Sequence, residues 1–291
     1  MEARPPSRRS DRTAGRAHVP VARISAAAAI AVGAYLMLHG QGEPRWRSIG
    51  PGVEFTTLRG DPYCRRGSSG IGVLRLDPAR AHVRVLHYTV TPGRAPLDIM
   101  DWQRLTGAVA VFNAGQFYPD LSYMGLLVCS GRVVSNEVHP GFKAALVAAP
   151  ERGRPDVRVL DLSKNPLDPS APQWREVAQS FMVLDSEGNL RVRKSDHVAN
   201  RTLVAEDRGG RVLVFTTEGG YTLADCAEYL RRSPLGISRA MGMDGGLEAE
   251  LCVRSGTFRY ASFGSWDERH GEGNQPGART PLPAVIVVDA N

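Results

Sequence analysis

A carboxylate and two glycines close an apolar run at residues 240–246, Ala-Met-Gly-Met-Asp-Gly-Gly. This is the pattern of a short buried strand that delivers Asp244 to its C-terminal end, where ligands of sheet proteins tend to sit. Gly245 and Gly246 allow a sharp backbone turn and the close approach of another molecule. The same residues also suit an ordinary Asp-Gly turn between two strands. A second run, residues 108–117, repeats the design: Ala-Val-Ala-Val-Phe leads to Asn113, then Ala-Gly-Gln-Phe. Asn113 suits the holding of a hydroxyl or the orienting of a neighbouring carboxylate, and it equally suits turn geometry. At residues 199–205, Ala-Asn-Arg-Thr-Leu-Val-Ala, an arginine heads a buried strand beside Asn200 and Thr202. The planar fork of Arg201 matches phosphate oxygens. A structural pair with Asp196 or Glu206 is the alternative. Asp244, Glu248 and Glu250 offer three carboxylates with no histidine near them, so a metal there would be calcium and not zinc. Calcium is the minor option, and no other cofactor is expected.

The elements that position these residues read mainly as strands. Residues 53–58, 70–76, 82–87, 144–148, 157–160, 178–184 and 211–217 are apolar or alternating runs broken by turn residues. Ser130-Gly131 and residues 185–189 read as hairpin turns. Residues 96–106 predict a short helix, and residues 174–177 a single helical turn. The clearest helix spans residues 221–232. Thr222 and Asp225 make its capping box, and Leu223, Cys226, Ala227 and Leu230 line one face. Strand, Glu218-Gly219-Gly220, helix, strand is a crossover connection, which predicts parallel neighbours at residues 211–217 and 240–243. The glycine pairs after Glu218 and Asp244 would then share one edge of the sheet. The fold class expected is α+β: a strand-rich mixed β-sheet domain with a few helices and one helical crossover before the Asp-Gly-Gly strand. The domain plan is a basic tail plus signal or anchor over residues 1–42, a linker and first strand over 43–69, and the main domain over 70–291.

Composition bounds the function. The apolar fraction of 42% and charged fraction of 23% predict an ordinary packed core, and 31 glycines with 20 prolines predict many turns. Six arginines against Glu2 and Asp11 place +4 of the net charge of +6 in the first 23 residues, leaving +2 for the rest. The basic balance belongs to the tail and excludes a nucleic-acid surface on the body. Behind the tail lies an uncharged apolar run, residues 24–38, in the order of an export signal. It is shorter than the ~20 residues of a comfortable membrane span. It reads as an export signal that stays as an N-terminal anchor, with the body in the periplasm or cell envelope. Cys64, Cys129, Cys226 and Cys252 permit two disulfides in an exported chain, and a Cys226–Cys252 pair would brace the Asp244 turn.

The ordered set of motifs resembles a known family, the phosphodiester glycosidase domain. The set is Asn-x-Gly-x-Phe at residues 113–117, Gly-Leu-x-Val from Gly125, Gln-Ser-x-x-x-Leu from Gln179, Asn-Arg-Thr from Asn200, Gly-Tyr-Thr-Leu from Gly220 and Met-Asp-Gly-Gly from Met243. The domain is known from the lysosomal uncovering enzyme and from exported bacterial proteins, some linked to exopolysaccharide. The resemblance spans residues 70–288. It implies hydrolysis of a sugar-1-phosphodiester, with Asp244 in the carboxylate role, Asn113 as an orienting hydrogen bonder and Glu218 or Glu248 as partner. It implies substrate contacts from Arg201, Thr202, Gly245, Gly246, Gln116, Gln179 and Ser180, and a carbohydrate or sugar-phosphate substrate. Two places depart from the family pattern: Gln116 stands before Phe117 where an aromatic residue or Met usually follows the glycine, and Leu247 and Glu248 stand where a small residue and then Ser often follow Asp-Gly-Gly. The alternative is a non-catalytic glycan-binding or polysaccharide-export accessory protein on the same fold, because fold does not fix activity.

Overall fold

The computed structural model describes Met1 and residues 44–153, 156–268 and 279–289. The chain separates into two units, Met1–Gly42 and Glu43–Asn291, and the architecture that follows is that of the second. The expected anchor at residues 24–38 lies outside the described residues. Among the described residues no helix is long and apolar enough to cross a membrane.

Two sheets carry the fold. The larger has the order β1-β2-β3-β12-β11-β13-β10-β6-β7, with β8 paired to β10 and β9 to β8. Its strands are β1 (Arg47–Gly50), β2 (Val53–Arg59), β3 (Gly70–Leu76), β6 (Leu127–Cys129), β7 (Arg132–Ser135), β8 (Ala144–Pro150), β9 (Val157–Asp161), β10 (Trp174–Leu184), β11 (Arg201–Asp207), β12 (Val212–Thr217) and β13 (Ile237–Gly245). The smaller has the order β15-β14-β5-β16-β4, from β4 (His82–His87), β5 (Ala110–Asn113), β14 (Leu251–Ser255), β15 (Phe258–Ser262) and β16 (Ala284–Asp289). Among the described residues two α-helices accompany them, α1 (Ile99–Thr106) and α2 (Leu223–Arg232).

The continuous apolar strands have a simple cause: both of their faces are covered. Along β12, Val212 and Val214 enter the core between the two sheets, while Leu213 and Phe215 meet Cys226, Ala227 and Leu230 of α2. Along β16, Ile286 and Val288 enter the shared core, while Val285 and Val287 meet Ile99 and Trp102 of α1. The layer order is therefore helix, large sheet, small sheet, helix. Each fully buried aliphatic side chain contributes roughly 1.5–3 kcal/mol. The α2 N-terminus is closed as its sequence predicts, with the Thr222 hydroxyl accepting from Asp225 N–H at 3.0 Å.

Three expectations are corrected. First, β12 and β13 run in the same direction but are not neighbours. β11 lies between them, antiparallel to both, so the α2 crossover skips one strand. The paired strands are all antiparallel, so the sheet is not mixed in its ladders. Second, residues 174–177 are not helical. They begin β10, because Glu176 and Val177 take partners Ala148 and Val147 on β8. Third, the four cysteines are free thiols. Cys226 packs under α2, whereas Cys252 packs under α1 with its thiol 3.0 Å from Gln103 Oε1. The two helices cover different sheets, so a Cys226–Cys252 bridge does not form.

Candidate active site

The site begins with an irregularity in the β11–β13 ladder. Leu203 pairs with Gly242, but Arg201 pairs with Gly245, so β13 carries one extra residue between these partners. Such a bulge bends the strand and re-aims a side chain, and here the residue re-aimed is Asp244. Its backbone is held on both sides. Asp244 N–H donates to the Ala114 carbonyl at 3.0 Å, and Asn113 Nδ2 donates to the Asp244 carbonyl at 2.9 Å. Its own Oδ1 accepts from Gly245 N–H at 2.9 Å.

Past the strand end, Gly246 N–H donates to the Asn200 carbonyl at 2.9 Å. Gly246 takes φ of 73°, in the left-handed region that favours glycine, and a Cβ there would collide with Oδ2 of Asp267. The chain then makes a single 3-10 turn, Gly246–Glu248, which carries Glu248 back toward Asp244. Asp267 arrives from the segment after β15 and is fixed by His197, whose Nε2 lies 2.8 Å from its Oδ1. Buried Asn200 ties these pieces together. Its Nδ2 donates to the Thr217 carbonyl at 2.7 Å, and its Oδ1 accepts from the N–H groups of Ser265 and Trp266 at 2.9 and 2.7 Å.

Withdrawal from water is the main force on the Asp244 carboxyl and pushes its pKa up to about 7. The negative charges of Glu248 and Asp267 act in the same sense, while the Gly245 N–H and the Arg201 charge oppose it. A carboxyl poised there exchanges its proton near neutrality, as a general acid or base requires. Arg201 is seated by backbone: Nε donates to the Tyr221 carbonyl at 3.1 Å and Nη2 to the His197 carbonyl at 2.9 Å. A Cβ on Gly245 would lie 3.2 Å from Arg201 Nη1, so the guanidinium edge borders the turn that holds Asp244.

The structure thus brings Asn113, Arg201, Asp244, Gly245, Gly246 and Glu248 together. Gln116 joins them, donating from Nε2 to the Met243 carbonyl at 3.2 Å and accepting from the Ser180 hydroxyl at 3.1 Å. Three expected residues are engaged elsewhere. Gln179 spends its amide on Leu126, His139 and Phe142, and so ties two loops to β10. Thr202 is buried, with its hydroxyl 3.4 Å from that of Thr216. Glu218 accepts from Ser68 Oγ at 2.8 Å and from the Tyr260 hydroxyl at 3.0 Å. Of the carboxylates Asp244, Glu248 and Glu250, Glu248 raises the pKa of both others by its charge, and Glu250 Oε1 accepts from Thr280 N–H at 3.5 Å. Among the described residues no group of three His, Cys, Asp or Glu side chains is arranged to hold a metal. His197 and Asp267 escaped the sequence reading: both lie in irregular segments, and no spacing links them to each other or to Asp244.

Other proteins share this arrangement of sheets. The catalytic domain of zebrafish N-acetylglucosamine-1-phosphodiester alpha-N-acetylglucosaminidase, auto-inhibited by its pro-peptide, superposes with a TM-score of 0.56 at 16% identity, over 86% of this chain and 85% of that one. A hypothetical protein from Synechocystis superposes with a TM-score of 0.55 at 12% identity, over 86% of this chain and 64% of that one. At such identities the likeness is one of fold. No curated protein matches the chain in sequence. The model of the phosphodiester glycosidase family matches residues 106–288, a stretch that runs from β5 to β16 and holds Asn113, Arg201, Asp244 and Asp267. By that match the chain belongs to the phosphodiester glycosidase family.

Proposed function

We propose that the protein is an exported hydrolase that cleaves a sugar-1-phosphodiester between the anomeric carbon and the phosphate oxygen. The observation that carries this reading is the pairing of Arg201 with Gly245 across β11 and β13. It puts a backbone-seated cation beside a carboxylate whose pKa is pushed up to about 7. Water adds to the anomeric carbon as the bond to the phosphate oxygen breaks. The bonding pair leaves with the phosphomonoester, and ionised Asp244 takes the proton of the water. The phosphomonoester is a good leaving group and needs little acid help. Positive charge that develops on the sugar is stabilised by the nearby carboxylates of Glu248 and Asp267. Arg201 stabilises the phosphate. Asn113, Gln116 and Asn200 are positioning residues, since their side chains bind backbone and not the reacting atoms. Export is supported by the arginine-rich tail and the apolar run at residues 24–38, which would also attach the protein to the membrane.

The test is hydrolysis of a panel of sugar-1-phosphodiesters by wild type, Asp244→Asn and Arg201→Ala. Loss of about 10²–10⁴-fold in kcat/KM is expected for Asp244→Asn. Equal rates for all three proteins would overturn the assignment.

A further inference from the structure

Residues 197–200 run between two other segments and bond to both. On one side Ala199 and Tyr221 exchange backbone hydrogen bonds at 3.1 and 2.9 Å. On the other side Glu268 N–H donates to the Val198 carbonyl at 3.2 Å, and Asn200 N–H donates to the Trp266 carbonyl at 2.9 Å. Val198 N–H donates in turn to Glu268 Oε2 at 3.2 Å. These bonds fix the backbone on either side of Asp267. Gly264 closes the arrangement from its far end. A Cβ there would collide with the carbonyls of Gly246 and Leu247, so only glycine lets this segment lie against the turn that carries Glu248.

Backbone bonds place the Asp267 Cα but not its carboxylate, which can still turn about two side-chain bonds. The His197 ring fixes that rotation. An ionised carboxylate only accepts, so the ring Nε2, 2.8 Å from Asp267 Oδ1, is the nitrogen that carries a proton and donates. With Oδ1 held, Oδ2 is set against Gly246, two residues from Asp244, where a Cβ would strike it. Both side chains are largely withdrawn from water. The same residue also seats the cation of the site, but through its main chain: the His197 carbonyl accepts from Arg201 Nη2 at 2.9 Å.

We propose that His197 is a positioning residue with two separate holds on the site: its ring aims the Asp267 carboxylate toward Asp244, and its carbonyl seats Arg201. That the two ends serve hydrolysis rests on the glycosidase reading of the Asp244 site. That the ring places Asp267 does not. The two holds come apart on substitution, because replacing the side chain leaves the carbonyl in place. The seat of Arg201 then survives while the Asp267 carboxylate is freed. Asp244 is faced by Glu248, Asp267, Arg201 and the buried phenol of Tyr123. A freed Asp267 is driven toward water by repulsion from its acidic neighbours. Asp244 then loses one of the negative charges that favour its protonated form.

The experiment compares wild type, His197→Ala, His197→Gln, Asp267→Ala and the double variant His197→Ala/Asp267→Ala, each checked for folding by a melting curve. Hydrolysis of the sugar-1-phosphodiester panel is followed as a function of pH. In parallel, carbon NMR of aspartate-labelled protein follows the titration of the Asp244 carboxyl, whose signal is identified by its loss in Asp244→Asn. His197→Ala is expected to lower kcat by about 10²-fold with KM unchanged. It should also move the acid limb of the rate, and the Asp244 titration, to lower pH. His197→Gln keeps an N–H donor at the reach of the ring nitrogen, so most of the rate and the wild-type titration should return. In the Asp267→Ala background His197→Ala should cost nothing further. Equal losses for Ala and Gln, or additive losses in the double variant, would overturn the proposal. Wild-type hydrolysis with kcat and the Asp244 titration unmoved in His197→Ala would sink this inference and leave the glycosidase reading standing. A titration that shifts in His197→Ala and returns in His197→Gln, with no hydrolysis of any phosphodiester by wild type, would do the reverse.

Discussion

Asn113 joins Asp244 to Glu250: its Nδ2 donates to the Asp244 carbonyl at 2.9 Å, and its Oδ1 accepts from Glu250 N–H at 3.2 Å. The side chain is buried and holds the end of β13 to the start of β14. Asn113→Ala leaves buried backbone groups without partners. It is expected to lower stability by about 2–3 kcal/mol in denaturant titration. Activity should fall mainly through kcat, as expected when a carboxyl is displaced but the substrate contacts survive. A fall confined to KM would place Asn113 in direct contact with substrate instead.

The pKa of Asp244 near 7 sets the pH dependence. In the proposed reaction Asp244 acts ionised, so kcat/KM should climb as pH rises through about 7 and level off above it. Asp244→Asn should abolish that limb along with most of the rate. A flat profile in wild type from pH 5 to 8 would refute the role.

The same shift makes a stability prediction of opposite slope. The folded pKa of Asp244 is raised above its unfolded value, as is that of Glu250, pushed to about 8 chiefly by burial. Between the unfolded and folded values the native state binds more protons than the unfolded state. Stability is therefore greatest below about pH 4 for these two groups and is lost as pH rises through 7 to 8. Glu250→Gln should flatten this fall by on the order of 2 kcal/mol between pH 4 and pH 8. Chemical denaturation across that range reads the effect, and parallel curves for variant and wild type would count against it. Glu250 Oε2 has no hydrogen-bond partner among the described residues, and Oε1 accepts only from Thr280 N–H, so the amide replaces a carboxyl with little support for its charge.

Gly246→Ala tests the turn itself. It forces a side chain into φ of 73° and pushes on Asp267. A cost of about 1–3 kcal/mol is expected from the backbone. Activity should fall further than stability explains, because Asp267 is moved from its place beside Asp244. Full activity at a temperature well below the variant's melting point would show that Asp267 is dispensable.

Thiol counting checks the cysteines. Mass spectrometry after alkylation in denaturant, without reductant, should find four modified thiols. In the native protein Cys64 should react first. It is only half-buried, whereas burial pushes Cys226 to about 12 and Cys252 to about 11. Recovery of a Cys226–Cys252 peptide would contradict the packing of the two thiols under different helices.

Much of the local structure was legible because it rests on local physics. β3 and β4 follow their alternating runs, the Ser130-Gly131 hairpin follows its turn residues, and α2 follows its Thr222 cap and its apolar face. Order within the sheet was not legible. The placement of β11 between β12 and β13 is a long-range choice that leaves no mark on the periodicity of any one strand. The site divides the same way. Asp244, Asn113 and Arg201 stand at ends of apolar strands, where a carboxylate, amide or guanidinium is conspicuous. Asp267 and His197 sit in irregular chain and meet only through the tertiary fold. Asn200 looked like a companion of Arg201, but its role as a hub emerges only from the three segments that bond to it, residues 217–219, Gly246 and residues 265–266.

The skipped strand also fixes how the site can move. Arg201 and Gly245 lie on adjacent strands of one ladder, with β12 and β10 on either side. No hinge separates the cation from the carboxylate, and parting them would require breaking backbone hydrogen bonds in mid-sheet. The chemical groups are thus preorganised before a ligand arrives, and little binding energy is lost to assembling them. Adaptation to one substrate or another falls instead to the loops that border the strand ends. Those loops can change in sequence and length while the geometry of Arg201 and Asp244 stays put.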